Sequence, residues 1–569
     1  MSSGSDRRRV YALAAREAGA LARVLTRRLW ALRPGAMRVP ERLLIVPPDM
    51  RTSEATIASD IYAGYFVFGG RAVATGGRSP FAVNPPSDVW AEILYGFGWL
   101  RHLRAADTAL ARANARALVG EFLRMQSPPA ARRAVVCARR AMSFLSQSPL
   151  ILERADHVFY HKVMRALGRD IRVLSLAMND HPKPQTRLFA AVAATYAGLS
   201  IEGFEGLARR ATRALARELD LQILPDGGHV GRNPKLVLEL LLDLLPLKQV
   251  YLARGVEPPK ALLQAIDRIP PMLRLLRHGD GTLALFNGMG STPVDHLTTL
   301  LFYDEARASP LQRGLVSGYE RLEAKGALAI VDVGATPAPR FSAEAGAGAL
   351  SFEFTIRGQR LVVNCGAPRS PADPVAQLVR ATAAHSALVI EDASSAEFLV
   401  EGGWGALRLA ARWLRRRLGP IVLRGVERTR VERPEPLRLV AEHDGYAARF
   451  GLLHERRLTL SANGDALDGE DRLAAESDRG DEATRGELRF HLHPGVRASL
   501  AQGGRVAMLV LPDGETWQFS AQARALEIEE SIFLAATDGA RKTVQIVLTF
   551  DPGKESAIAW RFERITGPR

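Results

Sequence analysis

A chain of 569 residues is too long for one hydrophobic core, so two large domains plus a tail are expected. Its 47% apolar and 24% charged residues make an ordinary globular balance with ample core material. Two distant cysteines, Cys137 and Cys365, are no disulfide framework, and no CxxC or clustered Cys/His spacing offers a structural zinc site.

The net charge of +15 is unevenly placed. The first forty residues carry Arg7, Arg8, Arg9, Arg16, Arg23, Arg27, Arg28, Arg33 and Arg38 against Asp6 and Glu17. An anionic partner would explain this. So would the Arg- and Ala-rich bias of a GC-rich genome, and nothing points to nucleic acid. Residues 10–31 read as a basic amphipathic helix with Val10, Leu13, Ala14, Leu21, Val24 and Leu25 among the arginines. Such a helix can lie on an anionic membrane surface or pack on the main body. Charges interrupt its apolar run, so it does not read as a signal peptide. No later segment offers the roughly eighteen uncharged apolar residues that span a bilayer.

From about residue 87 to 316 the apolar spacing is helical. It predicts helices over Asp107–Leu123, Ala130–Leu145, Ala155–Leu167, Ile171–Met178, Thr186–Leu199, Gly203–Leu219, Asn233–Ala253 and Pro259–Ile269, with Pro246 kinking or interrupting the seventh. Pro/Gly breaks such as Pro225-Asp-Gly-Gly228 separate them, and short loops predict antiparallel hairpins. Near residue 323 the pattern turns to short alternating runs: Ala327–Val333, Ala349–Arg357, Arg360–Asn364, Ser386–Ile390, Leu437–Glu442, Leu458–Ser461, Glu487–Leu492, Arg505–Leu511, Thr516–Ser520, Ala525–Glu529 and Thr543–Thr549. These predict a large antiparallel sandwich. Residues 403–418 read as a helix or an excursion loop.

No HExxH, GxSxG, P-loop or GxGxxG motif is present, and Asp226 and Glu239 do not form a recognisable glycosidase pair. Two polar turns stand out. Gln222–Pro234 carries His229 and Arg232, with Asn233 and Pro234 reading as an N-cap and first helical residue. Arg277–Gly288 carries His278, Asp280 and Asn287. Each reads equally as a site or as a well-formed turn. In the second half His385 precedes a strand. His491 and His493 lie two apart on another, where two imidazoles on one face could hold a metal, although no third ligand is evident. Trp90, Tyr95 and Trp99 could stack on sugar rings, or pack in the core as their helical spacing suggests.

Phe81-Ala-Val-Asn-Pro-Pro-Ser-Asp-Val-Trp90 with Leu94-Tyr-Gly-Phe-Gly-Trp-Leu100 resembles the opening of the bacterial heparinase II/III family. So do Leu224-Pro-Asp-Gly-Gly-His229, His278-Gly-Asp-Gly with Phe286-Asn-Gly, and Ala383-Ala-His385-Ser-Ala. The resemblance covers roughly residues 45–560. It implies an incomplete α/α toroid over 45–322 and an antiparallel β-sandwich over 323–569, after the tail of residues 1–44. It further implies β-elimination on a uronic-acid polysaccharide in a cleft between the two, without a cofactor, and a place in the cell envelope or periplasm. The absence of an export signal leaves a cytoplasmic or membrane-peripheral place open.

Elimination needs a group that neutralises the uronate carboxylate, a base for the C5 proton and an acid for the departing oxygen. Carried over, the resemblance assigns Arg187 or Arg232 to the first role and His229 and His385 to the others. Asn287 and His278 would bind substrate beside Trp90, Tyr95 and Trp99. Two positions depart from the family pattern. Its Asn-His pair falls at Thr186-Arg187, and its catalytic Tyr falls at Leu236, which cannot donate a proton. A lapsed enzyme that still binds an acidic polysaccharide is therefore the competing expectation.

Overall fold

The computed structural model describes residues 4–30, 39–303, 310–400, 405–476 and 484–566. In the helical half, Pro184–Ser200 and Pro234–Ala253 are buried nearly all round, whereas His157–Asp180 and Glu205–Gln222 bury one face. That difference sorts enclosed helices from those that face water. Ala134–Ser146, Pro184–Ser200 and Pro234–Ala253 pack in succession as an inner layer. His157–Asp180, Glu205–Gln222 and Lys260–Leu275 back them from outside. This is the expected incomplete α/α toroid.

Two expected breaks are not breaks. Ala155–Leu167 and Ile171–Met178 belong to one helix, His157–Asp180. Its Gly168-Arg169-Asp170 stretch continues the helix because Asp170 turns inward to Arg140, at 2.8 and 2.5 Å. Pro234–Ala253 likewise runs through Pro246. A proline there costs about 3 kcal/mol, which the apolar packing of the buried turns around it outweighs.

From Arg313 onward strands dominate, in an eight-stranded and a nine-stranded antiparallel sheet. Their inner faces meet in one core, with Phe352 stacked on Trp560 at 5.5 Å and Phe490 edge-on to the same indole. Tyr319–Ala324, Thr429–Glu435, Ala466–Ala475, Arg497–Ala501 and Ala557–Thr566 are further strands, beyond those that the apolar alternation predicts. Charged residues crowd several of them and obscure the two-residue period. Thr429–Glu435, for example, is an edge strand with few apolar side chains.

The N-terminal helix, Gly4–Trp30, packs on Gly405–Leu418, the helical part of the excursion; residues 31, 403 and 404 lie outside the described residues. Val10 is fully buried beside Leu407, Ala411, Leu414 and Leu418. Glu17 is buried as well and pairs with Arg340 and with Arg417 at 3.0 Å. Of the two readings of this helix, packing on the body accounts for that face. Arg7, Arg8 and Arg16 are exposed to solvent, and Arg23 lines a hollow together with Glu17 and Arg417.

Leu414→Ala should open a cavity in this seam and cost about 2–5 kcal/mol of stability. A lowered denaturant midpoint checks it, and an unchanged midpoint would mean that the seam carries no load.

Candidate functional site

The turn after Glu205–Gln222 is shaped by contact with its neighbours. Gly227 has φ +87°, and a Cβ there would lie 1.9 Å from the Arg268 carbonyl oxygen, so only glycine fits. The preceding Asp226 accepts from the backbone N–H groups of Val316 and Ser317, at 2.9 and 2.7 Å, and from the Ser317 hydroxyl at 2.9 Å. The toroid turn is thereby tied to the segment that enters the sandwich.

His229 is enclosed within the turn. Its Nδ1 accepts from the Gly231 N–H at 2.9 Å, which leaves the proton on Nε2 to donate to Gln222 Oε1 at 3.2 Å. Burial lowers its pKa to about 3. Asn233 caps Pro234–Ala253 through the Lys235 N–H at 2.9 Å, with Pro234 in the first turn, as expected.

Arg232 does not reach an open cleft. Its guanidinium donates to the carbonyls of Ser317 (2.8 Å), Gly318 (2.9 Å), Gly334 (3.1 Å) and Ala335 (3.3 Å), and pairs with Asp332. All five N–H groups are engaged, and the cation lies 4.9 Å from the Tyr319 ring centroid. The expected carboxylate neutraliser is instead a clamp between toroid and sandwich.

Asp332 is the hub. Its second oxygen accepts from Asn287 Nδ2 at 2.9 Å, and the same amide donates to the Tyr319 hydroxyl at 3.1 Å. Tyr319 in turn donates to the Arg232 carbonyl. Asn287 Oδ1 accepts from the Gly346 N–H at 3.4 Å. Gly346 and Gly348 cover the His385 ring so closely that a Cβ on either would lie 2.8 or 2.5 Å from it. His385 Nδ1 donates to the Ala381 carbonyl at 2.9 Å, and burial holds its pKa below the ordinary histidine range. One chain of contacts therefore runs from Arg232 through Asp332, Asn287 and Gly346 to His385. These residues come together, but as a closed joint.

The other candidates are elsewhere or already engaged. Arg187 pairs with Glu218 at 3.0 Å and donates to the His181 carbonyl at 3.2 Å, in a hollow it shares with Glu17 and Arg417. His278 bridges Glu353 and Thr355, at 2.9 and 2.6 Å, with its side chain fully buried, and so corrects the substrate-binding expectation. Trp90, Tyr95 and Trp99 are core residues and not a sugar platform. Their burial is nearly complete, and the two indole N–H groups donate to the carbonyls of Phe66 (3.2 Å) and Leu94 (3.0 Å). Leu236 is buried on its helix. His491 donates to the Ala383 carbonyl at 3.0 Å and accepts from Ser531 at 2.7 Å. His493 lies beyond the strand end and accepts from the Gly495 N–H at 3.2 Å, so the two imidazoles do not converge.

Sequence reasoning missed Asp332, Tyr319 and Glu353. A signal was available: Asp332 closes the apolar run Ala-Leu-Ala-Ile-Val, and a carboxylate in such a run is buried only when paired. Glu353, between Phe352 and Phe354, carries the same signal and accepts from Arg360, His278 and the Asn364 N–H.

Comparison with known proteins follows the same lines. A family model described as heparinase II/III-like, C-terminal, matches residues 306–561. The chain is 32% identical over 555 residues to the FtsZ-localized protein C of Caulobacter vibrioides, covering 94% of this chain and 92% of that one. In fold it is similar to the crystal structure of heparinase III, with a TM-score of 0.70 at 12% identity over 99% of this chain and 92% of the other. The heparan sulfate lyase HepC from Pedobacter heparinus has a TM-score of 0.55 at 13% identity over 97% and 89%.

Removing one partner of a buried ion pair leaves the other charge uncompensated, which costs about 3–5 kcal/mol. Arg232→Met should therefore destabilise the protein by that amount, and adding Asp332→Leu should recover part of the loss. Unfolding of the three proteins checks it, and a double variant weaker than the single one would show that the two residues are not coupled as a pair.

Proposed function

The chain belongs to the heparinase II/III-like family, and we propose that it is a binding and assembly protein for an acidic polysaccharide in which the elimination chemistry has lapsed. The observation that carries this reading is the state of the residues that would have to react. By the spacing that the family resemblance carries over, the family's catalytic Tyr falls at Leu236, which has no proton to give. Arg232 has no free N–H with which to hold a uronate carboxylate. His229 is buried, with a pKa near 3, far from the range in which an imidazole exchanges protons readily at neutral pH. His385 lies under two glycines with its pKa lowered in the same direction.

The name of the Caulobacter relative favours assembly over turnover. A protein localised with FtsZ is recruited to a place, and a similar recruitment is proposed for this chain. No helix among the described residues is long and apolar enough to cross a membrane. Attachment to an anionic membrane surface is proposed instead, through the exposed arginines of Gly4–Trp30.

The test is incubation with a panel of acidic polysaccharides, read by affinity electrophoresis and by the ultraviolet absorbance of an unsaturated uronate. Retarded migration with no absorbance is expected. Absorbance that grows with time and disappears in His385→Ala would replace the reading with a working lyase. Neither retardation nor absorbance would overturn the polysaccharide partner itself.

A further inference from the structure

The hollow that holds Arg187 is assembled from five parts of the chain. Gly4–Trp30 supplies Glu17 and Arg23, the turn after His157–Asp180 supplies His181, and Pro184–Ser200 supplies Arg187. Arg340 comes from the short turn Pro339–Phe341, and Arg417 from Gly405–Leu418. One Glu17 oxygen accepts from Arg340 Nε at 2.7 Å and the other from Arg417 Nε at 3.0 Å. Four arginines thus line the hollow against Glu17 and Asp180, an excess of two positive charges. Glu218 and Arg217, beside Arg187, pair at 3.4 Å and cancel. Lys183 adds a further cation: burial, with Lys183, Arg187 and Arg417 close by, lowers the His181 pKa.

Unlike Arg232, three of these guanidinium groups keep donors open. Arg187 directs Nε to Glu218 and Nη1 to the His181 carbonyl, which leaves Nη2. Arg340 directs Nε and Nη2 to Glu17, which leaves Nη1. Arg417 directs only Nε to Glu17, which leaves both Nη groups. These four nitrogens have no partner among the described residues, yet none is sealed inside the protein. The side chains that carry them are largely enclosed, with Arg187 and Arg417 each 14% exposed. The hollow measures about 170 Å³, room for about five waters at about 30 Å³ each, so an ion of five heavy atoms fits.

We propose that this hollow binds a phosphate group, as the free ion or as the monoester of a small sugar, on the open Nη donors of Arg187, Arg340 and Arg417. Phosphate brings nearly two negative charges and three strong acceptor oxygens, which match the excess charge and the open donors. A carboxylate has one charge and two oxygens and leaves part of both unmet. The site is complete only while Glu17 holds Arg340 and Arg417, so the bound ion also fastens Gly4–Trp30 to the toroid. The apolar residues that pack this helix, Val10, Leu13 and Ala14, all precede Glu17. The inference does not depend on the polysaccharide reading, because Leu236, Arg232, His229 and His385 take no part in the hollow.

The experiment is thermal-shift titration of the full-length protein at constant ionic strength with inorganic phosphate and glucose 6-phosphate, against acetate and glucuronate. A ligand that binds only the folded protein raises its melting temperature saturably. Saturation with either phosphate, at least tenfold tighter than with both carboxylates, supports the proposal, and the tighter of the two tells the free ion from the ester. At saturation, amide hydrogen exchange over residues 17–25 should slow. Binding should fall at least tenfold in Arg187→Gln, in which Glu218 keeps Arg217 and Gln222 as partners. If that variant does not fold, Arg417→Lys, which keeps the charge beside Glu17 and loses the fork, should show the same fall. Carboxylates that bind as tightly, absence of saturation with either phosphate, unchanged exchange over residues 17–25, or unchanged binding in the variant that folds would each overturn it.

Discussion

The arrangement depends on one buried cation, Arg232, and what surrounds it. It leaves a turn of the toroid in a left-handed conformation, φ 62°, and its guanidinium enters the sandwich to meet four carbonyls and Asp332. Taking two charges out of water costs several kcal/mol per ion, and their attraction offsets this only when every remaining donor is satisfied. Here all five are. The net stability gained need not be large. What the pair enforces is geometry: any shift of toroid against sandwich would strand a buried charge, so the two halves have one low-energy register. Asp226 on the backbone of Val316 and Ser317, and Asn233 on Glu344 at 2.8 Å, hold the same register from either side.

A joint built this way conflicts with catalysis at the same place. Elimination needs a cation whose hydrogen bonds point toward substrate and an imidazole that water or sugar can reach. The same residue types serve here, in much the positions the family resemblance assigns them, but their polar atoms face each other. The small segment from Gly346 to Gly348 makes this possible, since any side chain at either glycine would collide with the His385 ring.

The fold was legible because it rests on periodicity. The three-to-four-residue spacing from Asp107 onward and the alternating runs after Ala327 give the toroid and the sandwich without any knowledge of partners. The site was legible only as a list of residue types. His229, Arg232, Asn287 and His385 stand out as polar residues at element ends, and two of them, Arg232 and Asn287, converge on Asp332. A sequence does not show which way a guanidinium points, so it could not distinguish a substrate clamp from a structural one. The inward turn of Asp170 to Arg140 was hidden in the same way, by a partner thirty residues away. Trp90 and Trp99 have amphipathic side chains compatible with either sugar stacking or core packing, and only their burial decides. Thr186-Arg187 and Leu236 were the positions where residue identity alone departed from the family pattern.

The closed arrangement requires that the imidazole of the toroid turn, His229, be a sealed structural group. The direct measurement is the ¹⁵N chemical shift of the His229 ring in histidine-labelled protein, followed from about pH 7.5 to about pH 5 with and without an acidic polysaccharide. With a pKa lowered to about 3 by burial, the ring should stay neutral and protonated on Nε2 throughout, and the polysaccharide should not move it. Ionisation near the ordinary histidine value of about 6.5, or a shift when the polysaccharide is added, would show an open and reachable base and contradict the closed joint.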